Sequence, residues 1–440
     1  MSKTKTFKKG GIHPDKYKIT SDSPIIFAGL PEIVTIPVKQ HIGAPAKILV
    51  SPGDKVKVGT LIADADGIVS ADVHSSVSGE VLKIEAVEGE FGYLEDMITI
   101  KVEGDEFEAS IDTDNTINRD IPYTSEEIIK KIREAGIVGM GGAGYPTPIK
   151  TSIPEDKNVD TLIINGIECE PFLTADDRLM VEKAEQIIIG AKIINKALGI
   201  QNAIIAIDEN KPHAIETISK ITKTYIGVNV QVCATKYPQG GEKQLITAIT
   251  GREVPSGKLP ADAGCLVQNV GTVFAIYEAV MKNKPLYERV VTVSGDTCLH
   301  PVNYLVRIGT PASYLIEQAG GICPETSQVI FGGPMMGTSA FNINAPITKT
   351  TSGILLLSDK LSGKCPETDC IRCGKCVEAC PIGLKPYLIG ATMKSHQIDE
   401  LKNLHVLDCI ECGCCAYICP AHIPLLDYCK LAKIELRKKN

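Results

Sequence analysis

The sequence has no apolar run long enough to cross a membrane. Its most apolar region, around Ile187 to Ile207, is interrupted by Lys192, Lys196 and Asn202, whereas a span needs about 20 consecutive, predominantly apolar residues. No stretch has the pattern of a secretory signal peptide. The formal net charge of −7 also gives no general reason to expect a nucleic-acid partner. We therefore expect a globular cytoplasmic protein that neither spans a membrane nor binds nucleic acid.

Cysteine, by contrast, is abundant, and eight of the 16 cysteines form two matched runs near the end of the 440-residue chain. Each run has the spacing C-x-x-C-x-x-C-x-x-x-C-P, which is typical of two-cluster ferredoxins. There, three thiolates of one run bind one [4Fe–4S] cluster, and the fourth, before the proline, binds the other. The predicted ligands are Cys370, Cys373, Cys376 and Cys419 for one cluster, and Cys409, Cys412, Cys415 and Cys380 for the other.

Two zinc sites or disulfides are the alternative interpretations of these cysteines. Zinc needs only four ligands per site and usually takes them from two separated pairs. Thiolate clusters and unpaired cysteines suit a reducing cytoplasm. Cys414 breaks the shared spacing and Cys429 belongs to no pattern, so both are predicted to be free thiols. The spacing favours two cubane clusters and a function in electron transfer.

Short strands with glycine and proline turns predict a small all-β unit from about Ile36 to Glu85. The pattern resembles the barrel-sandwich hybrid fold of biotinyl and lipoyl carriers. A carrier needs a lysine at the tip of its hairpin, but no lysine lies between Asp64 and Ser78, and Ile68 falls near that position. We expect a structural or docking module here.

Strands and helices alternate from Ser125 to about Asn283, which predicts an α/β domain with a largely parallel sheet. A capped amphipathic helix is predicted from Ser125. Short apolar runs predict strands at 160–165, 203–207 and 228–232, and an apolar-periodic stretch predicts a helix from Asp176 to Leu198. Ligands of such domains bind at the carboxyl ends of the strands.

Strands return from about Arg289 to Met336, with a short helix at 312–318, and predict a small α+β unit. In the cysteine-rich segment, the 28 residues between Cys380 and Cys409 include a predicted helix, Lys385 to His396. This length favours a helical type of two-cluster ferredoxin. The chain is thus predicted to be an α/β multidomain protein, divided at residues 1–115, 116–285, 286–345 and 346–440.

Four glycines in six residues open the central domain, at positions 139, 141, 142 and 144. Such a backbone can approach a ligand closely and point N–H groups at a phosphate or a flat ring. The loop differs from G-x-G-x-x-G and precedes the first strong strand instead of following one. An ordinary dinucleotide fingerprint is therefore not predicted, and a flexible loop is the alternative.

This loop resembles the glycine-rich flavin loop of the NADH-oxidising subunit of respiratory complex I. Segments 165–171 with 177–178, 237–242 and 268–272 resemble further blocks of that family in the same order. The resemblance implies FMN and NADH as ligands. It implies cofactor contacts at Gly139, Gly141, Gly142, Gly144, Lys150, Asn165, Glu168, Glu170, Tyr237, Gly240, Glu242 and Asn269.

Electrons can pass from NADH to FMN and then to the iron–sulfur clusters. A hydride delivers two electrons at once, whereas an iron–sulfur cluster accepts one, and a flavin can take both and release them singly. No catalytic protein base is required. Glu168 and Glu170 are expected to shape binding, and the alternative for either is a solvated or capping surface carboxylate.

Nearly the whole chain resembles the C subunit of the Rnf ion-translocating electron transport complex. The residues that carry this resemblance are 7–14, 36–45, 165–178, 331–337 and both cysteine runs. It implies a β-grasp (soluble-ligand-binding) domain near 289–336 and a peripheral subunit on the cytoplasmic side of the membrane. It also implies electron exchange between NAD(H) and other members of a membrane complex, including an iron–sulfur subunit that meets ferredoxin.

Two other functions stay open from the sequence. The cobalamin reductase of diol-using microcompartments is a soluble enzyme that resembles the flavin and cluster segments. A flavin-free relay or scaffold would only pass electrons between clusters. The start of the chain, with His13 and Pro14, favours the Rnf family.

Overall fold

The computed structural model describes residues 3–90, 92–153, 157–363 and 365–438. In these ranges the chain forms four β-sheets with helices around them, which confirms the predicted mixed α/β class. The strands are β1 (Ile25–Phe27), β2 (Ile33–Pro37), β3 (Lys47–Ile48), β4 (Lys55–Val56), β5 (Leu61–Asp64), β6 (Val73–His74), β7 (Ser78–Glu88), β8 (Leu94–Gly104), β9 (Thr161–Gly166), β10 (Ala203–Asp208), β11 (Val228–Cys233), β12 (Cys265–Asn269), β13 (Glu288–Ser294), β14 (Val302–Arg307), β15 (Thr326–Phe331), β16 (Thr338–Ser339) and β17 (Gly353–Ser358). The helices are α1 (Ser125–Glu134), α2 (Thr147–Thr151), α3 (Ala175–Glu182), α4 (Ala184–Leu198), α5 (Pro212–Thr222), α6 (Glu242–Thr250), α7 (Val270–Lys282), α8 (Ala312–Gln318), α9 (Asp359–Ser362), α10 (Lys375–Ala379), α11 (Pro386–Lys394), α12 (Cys414–Tyr417) and α13 (Leu425–Lys438).

Strands β2 to β8 form the predicted small β unit as two antiparallel sheets, in the orders β2-β8-β7-β4 and β3-β5-β6. Alternate side chains point inward, so Val34 and Ile36 of β2 are fully buried against Ile98 and Ile100 of β8. Ile68 lies in the connection between β5 and β6 and is 77% exposed. The position where a carrier would hold its prosthetic group is thus occupied by an exposed isoleucine.

The central domain is a parallel sheet in the order β11-β10-β9-β12. In β9, Leu162 and Ile164 share a core with α4 and α7, whereas Ile163 packs with α6 on the opposite face. Because both faces are covered, the strand is a continuous apolar run. Asn165 and Asn269 are paired in register where β9 and β12 end. The polar ends of two adjacent strands therefore meet at one edge of the sheet.

The single helix predicted from Asp176 to Leu198 is two helices, α3 and α4. The chain changes direction at Lys183, where the backbone leaves helical geometry with φ −124° and ψ 28°. The apolar periodicity continues across this residue, so the pattern carries no sign of the break. As a result, α3 begins beside Glu168 and α4 packs along α7.

The third sheet has the order β1-β14-β13-β17-β15-β16 and contains strands from distant parts of the chain. Strand β1 comes from the N-terminal segment and runs parallel to β14. Strand β17 lies between β13 and β15, and its Ile354 and Leu356 share a core with Val291 and Val293. The predicted boundary at residue 345 therefore falls before one strand of this sheet.

The cysteine-rich segment is helical, and α11 (Pro386–Lys394) confirms the helix predicted between the two runs.

In the described ranges, no helix is both long and apolar enough to span a lipid bilayer.

A short N-terminal segment, residues 10–12, joins the central domain to the cysteine-rich domain. Ile12 and Tyr237 exchange two backbone hydrogen bonds of 2.9 Å, and the Gly11 amide donates to the Ala379 carbonyl at 2.9 Å. Gly10 has φ +65°, and a Cβ there would lie 2.5 Å from the carbonyl carbon and oxygen of Cys380. The two domains are thus connected through a close backbone approach that only glycine permits at position 10.

We expect Gly10→Ala to destabilise the protein more than Gly199→Ala does. Both glycines have nearly the same positive φ, +65° and +67°, so both alanines carry the same backbone strain. Only the alanine at position 10 collides, since nothing lies within 4 Å of a Cβ at position 199. The expected extra cost is about 1–3 kcal/mol, measured as the difference in unfolding free energy. Equal losses in the two variants would show that the N-terminal segment is not packed on Cys380.

Candidate functional site

The glycine loop lies over the carboxyl edge of the central sheet. Its Gly139 amide donates to the Tyr145 carbonyl at 2.9 Å, and the Met140 amide donates to Thr272 Oγ1 at 2.9 Å. Gly141 and Gly142 are exposed, whereas Gly144 is buried. A Cβ at Gly141 would lie 2.9 Å from the Asn269 side chain, so the loop backbone approaches that asparagine as closely as glycine allows.

Asn269 and Asn165 shape the edge below this loop. Asn269 caps α7, accepting hydrogen bonds from the amides of Gly271 and Thr272 at 2.9 and 3.3 Å. Asn165 Nδ2 donates to the Gly240 carbonyl at 2.9 Å. Both side chains thus hold backbone turns in place at the position where a parallel sheet binds its ligand.

Lys150 and Glu242 complete this edge with a half-buried ion pair. Lys150 Nζ lies 2.9 Å from Glu242 Oε1 and also donates to the Val267 carbonyl at 3.3 Å. The structure therefore brings together the glycine loop, Lys150, Asn165, Gly240, Glu242 and Asn269. Exposed glycine backbone, a cation and asparagine amides are the donor set that a flavin phosphate and ring require, so these residues fit FMN.

Glu168 caps helix α3 with its side chain. Its two carboxylate oxygens accept hydrogen bonds from the amides of Asp176 and Asp177 at 2.7 and 3.2 Å, and Lys211 Nζ lies 4.0 Å from Oε2. Burial and the neighbouring Glu168 raise the pKa of Asp177 to about 6. Glu168 thus caps α3 with a buried carboxylate, and its predicted contact with a cofactor stays a prediction.

Glu170 binds the loop between β15 and β16. Its carboxylate accepts hydrogen bonds from the amides of Met335 and Met336 at 3.0 and 2.8 Å, and a Cβ at Gly333 would lie 2.3 Å from Oε2. Burial raises the pKa of Glu170 to about 7, against the opposing effect of these two amides. Glu170 thus anchors the third sheet to the central domain.

Tyr237 connects the central domain to the second cysteine run. Its side chain is 1% exposed, and its hydroxyl donates to the Cys412 carbonyl at 2.8 Å. Tyr237 also packs with Ile12, Ala379 and Cys414 in one apolar cluster. A residue predicted to lie near the flavin thus contacts the loop that carries predicted iron ligands.

Four predicted ligands line one apolar cavity in the cysteine-rich domain. They are Cys380 from the first run and Cys409, Cys412 and Cys415 from the second. This is the exchange between runs that the spacing predicts. Pro381, Leu384, Pro386 and Leu426 also line the cavity. A set of four thiols around an apolar space fits a [4Fe–4S] cluster.

The other predicted site is more open. Cys376 packs with Cys419, again pairing the two runs, whereas Cys370 and Cys373 are exposed. In the part of the chain that the structure describes, no three His, Cys, Asp or Glu side chains are placed to hold a metal ion.

Sequence reasoning missed several residues of this region. Lys18 is half-buried, and its Nζ donates to the carbonyls of Glu168, Glu170 and Leu173 at 2.5–2.8 Å. Cys429 and Cys414, predicted only as free thiols, line the cavity of the four ligands. Lys18 and Cys429 were missed because their partners lie far away in the sequence, and Cys414 was missed because it does not fit the ligand spacing of its run.

Comparisons with known protein families assign a domain to each part of the chain. Residues 5–106 match the RnfC barrel sandwich hybrid domain, 132–278 the Nuo51 FMN-binding domain, 290–339 the SLBB domain and 369–423 the 4Fe-4S dicluster domain. The predicted FMN and [4Fe–4S] cofactors are thereby confirmed, as is the barrel-sandwich hybrid fold near the start of the chain.

Curated relatives match over nearly the whole chain. The C subunit of the proton-translocating ferredoxin:NAD(+) oxidoreductase complex of Clostridium ljungdahlii is 45% identical over 398 residues, covering 90% of this chain and 86% of the relative. The Na(+)-translocating counterpart of Acetobacterium woodii is 44% identical, covering 97% and 96%. The C subunit of the ion-translocating oxidoreductase complex of Rhodobacter capsulatus is 40% identical, covering 98% and 83%.

Among solved structures, an NAD+-reducing [NiFe]-hydrogenase in the air-oxidized state superposes with a TM-score of 0.49. It is 17% identical, and the match covers 63% of this chain and 54% of that chain.

We expect Glu170→Gln to remove part of the dependence of stability on pH. The pKa of Glu170 is raised from 4.5 to about 7 in the folded protein, so between these values the folded state binds more protons than the unfolded state. The wild type therefore loses stability as pH rises through this window, and glutamine, which does not titrate, does not. The unfolding free energy of the variant relative to wild type should rise by roughly 1–3 kcal/mol from pH 5 to 8.

The control is Glu253→Gln, which changes an exposed carboxylate. Parallel pH profiles for wild type and Glu170→Gln would show that burial does not raise the pKa of Glu170.

Proposed function

This chain belongs to the family of C subunits of ion-translocating ferredoxin:NAD(+) oxidoreductase complexes, and on that premise we propose that it is the NADH-linked electron-transfer subunit of such a complex. It would exchange electrons between NAD(H), FMN and two [4Fe–4S] clusters. The FMN-binding and dicluster domains support this function.

The observation that carries the proposal is the contact between Tyr237 and Cys412. Its 2.8 Å hydrogen bond, together with the paired backbone of Ile12 and Tyr237, fixes the second cysteine run against the flavin domain. A protein that only stored clusters would have no need for this arrangement. The contact supports direct electron exchange between the two cofactor domains.

FMN would be held at the carboxyl edge of the central sheet. Gly139, Gly141 and Gly142 offer backbone that a flat ring or a phosphate can approach, whereas Gly144 is buried in the same loop, and Lys150 offers a positive charge. When bound, FMN takes two electrons from NADH together and gives them up singly. Asn165 and Asn269 keep the surrounding turns in place, and Gly240 and Glu242 border the same edge.

Glu168 and Glu170 would support the site by holding its surroundings in place. Glu168 fixes the start of α3, and Glu170 fixes the loop of residues 332–337. Neither carboxylate is required as a catalytic base, because the proton and electron chemistry belongs to the flavin. Both would act by positioning the backbone around the nucleotide site.

Of the two cluster sites, the inner one is formed by Cys380, Cys409, Cys412 and Cys415. It borders Tyr237 and the N-terminal segment. The outer one is formed by Cys370, Cys373, Cys376 and Cys419, and two of its thiols are exposed. This difference supports an order in which the inner site faces the flavin domain and the outer site faces a partner protein.

The partners would be other subunits of the membrane complex, including an iron–sulfur subunit that meets ferredoxin. The names of the relatives, which belong to such complexes, support this. The chain would be peripheral, on the cytoplasmic side of the membrane. Its proposed division is residues 1–115, 116–285, 286–345 and 346–440, with β17 of the last range completing the third sheet.

We expect Lys150→Met to weaken FMN binding about tenfold or more, because a charged hydrogen bond to the cofactor is worth about 1.5–3 kcal/mol. The measurement is FMN affinity of the anaerobically purified chain, with iron counted in the same sample at about eight atoms for two cubanes. Lys157→Met is the matched control, since Lys157 also pairs with a carboxylate, Asp262, at 2.7 Å and has similar exposure.

Equal FMN affinity in the two variants would show that Lys150 does not bind FMN. Wild-type protein with full iron but no flavin and no NADH-dependent reduction would overturn the proposed function itself.

We expect Cys412→Ser and Cys373→Ser to differ in how NADH reduces the cluster that remains. Loss of the inner cluster through Cys412→Ser should leave the outer one reduced far more slowly, since the remaining path is longer. Loss of the outer cluster through Cys373→Ser should leave fast reduction of the inner one. Anaerobic rapid mixing with NADH, followed by electron paramagnetic resonance, measures both. Fast reduction in Cys412→Ser and slow reduction in Cys373→Ser would show that the outer cluster, and not the inner one, accepts electrons from the flavin domain first.

A further inference from the structure

The N-terminal segment runs along the loop that carries Cys380, the thiol that the first cysteine run contributes to the inner cluster site. The Gly11 amide donates to the Ala379 carbonyl at 2.9 Å, and a Cβ at Gly10 would lie 2.5 Å from the carbonyl carbon of Cys380. Residue numbers fall along one segment as they rise along the other, so the two segments are antiparallel. Lys9 therefore lies beside the residues that follow Cys380.

The side chain of Lys9 ends against Gly383. A Cβ at Gly383 would lie 1.9 Å from Lys9 Nζ and 2.4 Å from its Cε, so the lysine occupies the space of a side chain there. The next amide, that of Leu384, donates to Cys380 Sγ at 3.3 Å. The ammonium group thus lies next to the peptide unit whose N–H contacts a predicted ligand sulfur.

The second cysteine run differs at the corresponding position. Gly383 is the third residue after Cys380, and the third residue after Cys419 is His422. Both residues have positive φ angles, +78° and +52°, so the two loops turn in the same way. A histidine side chain therefore begins in the second run at the place that the Lys9 ammonium takes in the first.

The central domain fixes the backbone on both sides of Lys9. Before it, Phe7 is 3% exposed, and Lys236 lies 4.1 Å over its ring and donates to its carbonyl at 3.2 Å. After it, Ile12 and Tyr237 exchange their two backbone hydrogen bonds. The point from which the Lys9 side chain extends toward the loop is therefore anchored independently of its own charge.

A fixed positive charge beside a cluster has a direct electrostatic effect. Reduction by one electron adds one negative charge to the cluster and its thiolates, and a nearby cation stabilises that charge. Net charge and solvent exposure are among the factors that set cluster potentials. Because Lys9 is exposed, water weakens the effect and salt weakens it further. An effect of charge can thus be distinguished from an effect of packing, which salt would leave largely unchanged.

We propose that the Lys9 ammonium, from its position against Gly383, raises the reduction potential of the inner cluster. This inference rests on the proposed function, which places a [4Fe–4S] cluster at the inner site. Lys9 binds neither iron nor sulfur in this role and acts only through its charge. A raised potential favours electron transfer from the flavin domain onto the inner cluster.

The experiment compares Lys9→Met, which removes the charge but keeps a long side chain, with Lys9→Arg, which keeps the charge. Anaerobic redox titrations at low and high salt, followed by electron paramagnetic resonance, give the midpoint of each cluster, assigned with Cys412→Ser and Cys373→Ser. At low salt and at the wild-type midpoint, the reduced-to-oxidised ratio of the inner cluster should be about twofold to fivefold lower in Lys9→Met. The difference should shrink at high salt, because the Debye length falls from about 30 Å at about 0.01 M to about 3 Å at about 1 M.

The other samples provide the controls. Lys9→Arg should match wild type, and the outer cluster should shift less than the inner one. Lys223→Met gives the same change in net charge at an exposed position that follows α5 in the central domain, and it should leave both midpoints unchanged. All three variants should keep about eight irons, since none of them alters a ligand.

Three results would overturn the inference. The first is an inner midpoint in Lys9→Met that equals the wild-type midpoint at low salt. The second is a shift of the same size in Lys223→Met, which would indicate an effect of net charge alone. The third is a shift that does not depend on salt or that Lys9→Arg shares, which would indicate lost packing. Failure of the proposed function gives a different result, namely wild-type protein in which no iron–sulfur signal depends on Cys412.

Discussion

The hydrogen bond from the Tyr237 hydroxyl to the Cys412 carbonyl is the contact on which the arrangement of the cofactor domains depends. Both groups are buried, and a buried phenol without a partner would cost about 1–3 kcal/mol. The two domains therefore lose stability if they separate or shift. Ile12 adds two backbone hydrogen bonds to the same tyrosine, so the N-terminal segment restrains the contact from a third direction. The relative position of the two domains is thus a consequence of satisfying buried polar groups.

The segment of residues 168–173 is a second part of the chain whose conformation depends on contacts with distant residues. Glu168 and Phe172 have positive φ angles of +43° and +67°, which are costly for residues other than glycine. Lys18 offsets this cost by donating to three carbonyls of the segment, and the two glutamates bind α3 and the loop of residues 332–337. Strain here is maintained by contacts from three separate parts of the chain, as expected beside a functional site.

What the sequence predicted well was local or periodic. The strands at 161–166, 203–208 and 228–233 follow from short apolar runs, and the pairing of Cys380 with the second run follows from the ferredoxin spacing. The break at Lys183 was missed because apolar periodicity continues across it. Strand β17 was placed with the cluster domain because nothing in 353–358 indicates which sheet it joins. Lys18, Cys429 and the role of Glu170 depend on partners more than a few residues away, which neither spacing nor period encodes.

The two cysteine runs show how far such distant contacts matter. Their spacing is identical, so the ligand geometry of the two clusters should be the same. Their surroundings differ because Tyr237 and the N-terminal segment pack on the inner site, whereas Cys370 and Cys373 remain exposed. Potentials of iron–sulfur clusters respond to hydrogen bonds and to solvent. Two copies of one motif therefore acquire different electronic environments from the rest of the fold, and it is this asymmetry that would give electron transfer a direction through the protein.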